Sequence, residues 1–198
     1  MKAAAALAAR VDAVVIGASA GGVEALSQLL PALPATLRAA VFIVLHQPRE
    51  RPSRLAALFQ AKCVLPVREA EDKEPVAPAT VYLAPPDYHL LLDQGPCLAL
   101  SADEPVNYSR PAIDVLFESA ADLYRERLLG MILTGGNQDG AAGLAAVQRA
   151  GGVTVVQAPQ SAQVALMPAS ALQRIVPDHV LPLAEIAALL RSLAGPAG

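Results

Sequence analysis

The chain has 198 residues, 54% hydrophobic and 17% charged, enough to bury a sizeable core and too apolar to stay disordered. A net charge of −3, no basic stripe and 4% aromatic residues argue against nucleic acid as a partner. The two cysteines, Cys63 and Cys97, have neither redox nor metal spacing; they read as buried thiols in a reducing compartment.

In chain order, "MKAAAALAARVDAVV" superficially resembles a signal peptide, but Arg10 and Asp12 cut its apolar run short. No stretch approaches the roughly 18 apolar residues that span a membrane. The expectation is a soluble, cytoplasmic protein with no membrane insertion. "DAVVIG" reads as a short strand ending in glycine, and "GGVEALSQLLPAL" follows with helical spacing at Val23, Leu26, Leu29 and Leu30. "AAVFIVLHQ" is a continuous apolar run, the mark of a strand buried on both faces. "RPSRLAALFQ" predicts a short helix, "CVLPVREA" and "ATVYLAPP" two short strands, and "YHLLLDQGPCLAL" a hairpin turning at Asp93–Pro96.

The stretch "RPAIDVLFESAADLYRERL" is amphipathic, with Ile113, Leu116, Phe117, Ala120 and Tyr124 on one stripe. "LLGMILTGG" predicts a buried strand, "DGAAGLAAVQRAGG" a helix closed by glycines, and "VTVVQ" another strand. "MPASALQRI" and "PLAEIAALLRSLAG" predict the last two helices. This alternation predicts an α/β fold, a mostly parallel sheet with helices on both faces and one antiparallel hairpin. With no repeat and no linker, residues 1–198 read as one domain.

In such a sheet, sites form beyond the carboxyl ends of the strands. Three polar residues follow predicted strands there: Ser19, His46 and Asp139, the parts of a Ser–His–Asp triad. "GASAG" fits the nucleophile-elbow pattern G-x-S-x-G at a strand-to-helix junction. Two other readings stay open: Ser19 as a helix N-cap, and "GASAGG" as a degenerate dinucleotide loop. The second lacks the acidic residue expected at the end of the second strand, where His46 stands. A neutral imidazole suits general-base work on a serine hydroxyl, and His89 is the alternative base. Asp139 is also a natural N-cap of the helix that follows it, and the two roles can coexist. No ligand pair has familiar metal spacing, so no metal is expected.

The blocks "IGASAGGVEAL", "VLHQ", "VYLAPPDYHLLL", "RPAIDVLFESAA", "LTGGNQDGAAGL" and "MPASAL" resemble, in order, the protein-glutamate methylesterases of bacterial chemotaxis, the CheB catalytic domain. The resemblance runs from about Asp12 to Leu190. It implies a doubly wound, Rossmann-like three-layer sheet with an added hairpin and a cofactor-free serine hydrolase. The substrates implied are γ-glutamyl methyl esters on the cytoplasmic helices of methylated chemoreceptors, with receptor glutamines as a second, deamidation substrate.

By the same resemblance Ser19 is the nucleophile, His46 the base and Asp139 the orienting acid. Backbone N–H groups of Gly136, and around Ala20 or His46, serve the oxyanion. The chain departs from the family's best-known members at Ala20, where they carry Thr, and at Gly136–Asn137, where they carry Met-Gly. Only about eleven residues precede the first strand, where the family's familiar member has an N-terminal receiver domain; the expectation is a stand-alone catalytic domain that works by itself, or one regulated by a separate receiver protein, or a piece of a longer chain. Arg110 is a candidate substrate contact; pairing with Asp114 is its alternative role. Alternatives to the methylesterase are a serine esterase for another ester and a non-catalytic binding module.

Overall fold

The computed structural model describes residues 7–47 and 54–195. Its centre is a sheet of seven strands: β1 (Ala13–Ala18), β2 (Ala40–Leu45), β3 (Val67–Glu69), β4 (Val81–Leu83), β7 (Leu128–Ile132), β8 (Val153–Gln157) and β9 (His179–Leu181). They lie in the order β3-β4-β2-β1-β7-β8-β9, and every pairing is parallel. β5 (His89–Asp93) and β6 (Cys97–Ser101) form the separate antiparallel hairpin.

The central strands β1, β2 and β7 are buried at every position, as their unbroken apolar runs require. Alternate side chains serve two cores. Val14, Ile16 and Ala18 pack with α1 (Gly22–Leu29), α2 (Leu55–Gln60) and α6 (Leu183–Arg191) on one face. Ala13 and Val15 pack on the other with α3 (Ile113–Tyr124), α4 (Ala141–Arg149), α5 (Leu166–Arg174) and the hairpin. α3 and α4 approach closely at Gly143, where an added Cβ would lie 2.6 Å from the Phe117 Cβ and 3.0 Å from the Asp114 Cα.

From β1 the chain winds outward to β2 and on to the edge strand β3, fills the gap between them with β4, then crosses to the other side of β1 with β7, β8 and β9. The reversal opens a crevice at the carboxyl ends of β1 and β7, the usual binding region of such sheets.

Three details differ from the sequence reading. β9 is a strand that the pattern did not predict; its three residues, in a four-residue stretch between Pro177 and Pro182, are too few to show an alternation. α3 stops at Tyr124 because Arg125 takes a positive φ of 51°, which no helix can continue. Cys97 is only half-buried on the hairpin, unlike Cys63, whose burial pushes its thiol pKa up.

Candidate active site

Ser19 is the first residue after β1. Its N–H donates to the Thr134 carbonyl at 2.9 Å, and its own carbonyl accepts from the Gly22 N–H at 2.7 Å. The chain thus turns at once from strand into helix, with Gly21 at φ 79°. A Cβ on Gly22 would stand 2.5 Å from Leu45 and 2.8 Å from the Ala18 Cβ, so only glycine lets α1 begin this close to the sheet. Gly21 is the N-cap and α1 has no side-chain cap, so Ser19 is not the cap considered from sequence. The half-buried Ser19 hydroxyl has no hydrogen-bond partner among the described residues.

His46 follows β2, one residue beyond the last β1–β2 pair, Ala18 with Leu45. Parallel register therefore carries Ser19 and His46 to the same rim. The His46 N–H donates to the Ala18 carbonyl at 3.1 Å, so it is already engaged and is no free oxyanion donor. The half-buried ring places Nε2 2.8 Å from Asp139 Oδ2. An ionised carboxylate only accepts, so Nε2 carries the proton and Nδ1 is left as the basic nitrogen.

Asp139 is fully buried and saturated with donors. Oδ2 accepts from His46 and from the Ile113 N–H at 2.6 Å; Oδ1 accepts from the Asp114 N–H at 3.1 Å and Asn107 Nδ2 at 3.0 Å. Burial pushes its pKa up, but the hydrogen bonds from His46, Ile113 and Asn107 outweigh it, and the carboxyl is held below its ordinary range. The residue does cap a helix, though not the expected one. It caps α3 across the fold, while the first turn of α4, which starts after Gly140, is capped by Asp114 and not by Asp139. The N-terminal dipole of α3 adds to the stabilisation of the anion.

Two neighbours complete this network without any local signal in the sequence. Asn107 Nδ2 bridges Asp139 Oδ1 and, at 2.8 Å, Asp114 Oδ2. Asp114 is itself buried and accepts from the Gly143 N–H at 2.6 Å; burial, and the Asp139 charge beside it, raise its pKa. Beneath Ser19, the Thr134 hydroxyl donates to the Ala20 carbonyl at 2.8 Å and accepts from the Val164 N–H at 2.9 Å, while the Thr134 N–H donates to Gln157 Oε1. Thr134→Val keeps the shape but removes the hydroxyl that the part-buried Ala20 carbonyl and Val164 N–H both use. We expect a loss of about 1–3 kcal/mol, read from the urea midpoint.

The other sequence candidates separate. His89 is buried, with Nδ1 accepting from the Ala112 N–H at 3.1 Å and Nε2 donating to the Glu104 carbonyl at 3.1 Å; both nitrogens are occupied by structure. Arg110 grips Asp87 Oδ1 at 2.7 and 3.0 Å and the carbonyls of Ala102 and Asp103, so its partner is Asp87 and not Asp114. Gly136 and Ala20 are both exposed, and neither backbone N–H has a hydrogen-bond partner among the described residues. A Cβ at Gly136 would meet only Val164, at 3.9 Å. A cleft of about 90 Å³ opens beside the site, lined by His46, Gln47, Tyr108, Ser109, Arg110 and Pro111. Among the described residues no three His, Cys, Asp or Glu side chains gather as a metal site, and no helix is long and apolar enough to cross a membrane.

A half-buried serine at the same sheet rim as a carboxylate-bound imidazole, at the crevice of a parallel sheet, is an arrangement capable of acyl transfer. Comparison with known proteins agrees with that chemistry. The family model for CheB methylesterase matches residues 14–190. A putative protein-glutamate methylesterase/protein-glutamine glutaminase of Leptospira interrogans is 44% identical over 178 residues, 90% of this chain and 92% of that protein. The enzyme of the same name without "putative" from Bordetella parapertussis is 42% identical over 189 residues; this chain spans 54% of its length. The crystal structure of the Thermotoga maritima CheB methylesterase catalytic domain superposes with a TM-score of 0.88 at 35% identity, covering 92% of this chain and 98% of that one. The family match covers most of the chain, the relatives are well above 30% identical and the fold superposes, so the chain belongs to the CheB methylesterase family.

Proposed function

We propose that this chain is a protein-glutamate methylesterase that hydrolyses γ-glutamyl methyl esters on cytoplasmic helices of chemoreceptors. The observation that carries the reading is the 2.8 Å bond from His46 Nε2 to a buried, ionised Asp139, at the rim where Ser19 offers an unpaired hydroxyl. The Ser19 Oγ attacks the ester carbonyl while its proton passes to His46 Nδ1. Asp139 holds the ring in the tautomer that leaves Nδ1 free and stabilises the imidazolium once formed. The N–H groups of Gly136 and Ala20 are the unengaged donors for the oxyanion.

Collapse of the tetrahedral intermediate breaks the bond to the methoxy oxygen, which takes the His46 proton and leaves as methanol. Water then attacks the acyl-serine, giving its proton to His46; a second collapse frees the glutamate carboxylate and returns the proton to Ser19. A glutamine side chain gives the same acyl-serine with ammonia as the leaving group, so the glutaminase activity named for the relatives follows from the same site. Arg110, tied to Asp87, shapes the cleft wall more readily than it binds substrate.

The test is methanol release from membranes carrying a methylated chemoreceptor. The reading predicts one methanol per ester cleaved. No release, with turnover of a small activated ester retained, would instead identify a serine esterase for another substrate.

A further inference from the structure

The Val106–Ser109 segment is a tight two-residue hairpin turn. Val106 and Ser109 exchange both backbone hydrogen bonds, at 3.1 and 2.9 Å, and the two residues between them, Asn107 and Tyr108, have positive φ of 51° and 61°. Asparagine tolerates that region; a bulky aromatic residue there is an outlier. The Tyr108 side chain gains no packing in exchange, because it is fully exposed. Strain with no internal compensation persists only where the surroundings fix it, and it concentrates at functional positions. Here Asn107 does the fixing, since its amide is bonded to both Asp139 and Asp114. An outward-pointing tyrosine is thus mounted rigidly on the buried carboxylates, at the mouth of the cleft that His46 lines.

The size of that cleft says what the tyrosine meets. At about 90 Å³ the cleft is well below the roughly 300–1,000 Å³ of a pocket that encloses a whole small molecule, so it admits the end of one side chain. Everything else in a protein substrate lies outside it, against the rim. We propose that Tyr108 is the rim contact on which the polypeptide flanking the esterified glutamate packs, and that it distinguishes protein substrates from small esters. The inference rests on the methylesterase reading and deepens it.

Tyr108→Gly removes the ring and relieves the positive φ together, so docking and stability separate in sign. Wild type, Tyr108→Gly and Tyr108→Phe are compared on methylated receptor membranes and on p-nitrophenyl acetate, with urea unfolding of each. For Tyr108→Gly we expect the ratio of kcat/KM on receptor to kcat/KM on the small ester to fall at least tenfold, carried by KM. Its urea midpoint is expected to be equal to or above that of wild type. Tyr108→Phe, which keeps the ring, should stay within twofold of wild type in that ratio. An unchanged ratio in Tyr108→Gly, or an equal fall in Tyr108→Phe, overturns the proposal and leaves the methylesterase reading standing. A wild type that releases no methanol overturns both.

Discussion

Ser19→Ala is expected to cut methanol release from methylated receptors by three orders of magnitude or more, leaving the fold untouched. The rate loss follows from removing the one atom that forms the acyl bond; residual turnover would come from the oxyanion donors and substrate binding alone. The structural indifference follows from the geometry. The hydroxyl has no hydrogen-bond partner among the described residues, and the turn is held by backbone bonds from Ser19 to Thr134 and Gly22, which alanine also makes. Circular dichroism and the urea midpoint should therefore match wild type. A variant keeping more than a tenth of the wild-type rate would remove Ser19 from the chemistry.

Asp139→Asn should lose both activity and stability. The amide presents its NH2 to at least one of four donors, from His46, Asn107, Ile113 and Asp114, that the carboxylate now accepts. If His46 flips its tautomer to accept from the amide, Nδ1 becomes protonated and cannot act as base. The expected rate loss is about four orders of magnitude. One buried donor facing another should cost about 3 kcal/mol.

The stability difference has a predictable pH course. The folded pKa of Asp139 is depressed, so at acid pH the group is protonated less in the folded than in the unfolded protein. Its contribution is fully present above the unfolded value of about 3.9 and is lost as pH falls through the lower folded value. The gap in unfolding free energy between wild type and Asp139→Asn should stay level from neutral pH to about 5 and narrow at lower pH. A gap that widens under acid would mean Asp139 is protonated in the native protein.

The elements that place the site were legible because each carries its signal locally. Uninterrupted apolar runs marked β1, β2 and β7, and a parallel sheet gathers whatever follows those strands at one rim; that is how Ser19, His46 and Asp139 could be chosen across the length of the chain. The contacts that tune the site are not local. Asn107 reaches Asp139 across 32 positions, Thr134 reaches Ala20 across 114, and Arg110 meets Asp87 across 23, where sequence proximity suggested Asp114. The N-capping preference of aspartate was read correctly as a tendency, but only the packing of α3 against α4 decides which helix receives it. The same limit applies to His89, whose two hydrogen bonds depend on the hairpin docking against α3.

Reaction with a serine-directed fluorophosphonate, followed by mass spectrometric location of the adduct, reads the joint action of hydroxyl and imidazole without any receptor. A single adduct on Ser19, formed at least a hundredfold more slowly in His46→Ala, is the predicted result. Labelling at another residue, or a rate indifferent to the loss of His46, would contradict the assignment of these side chains to one reacting unit.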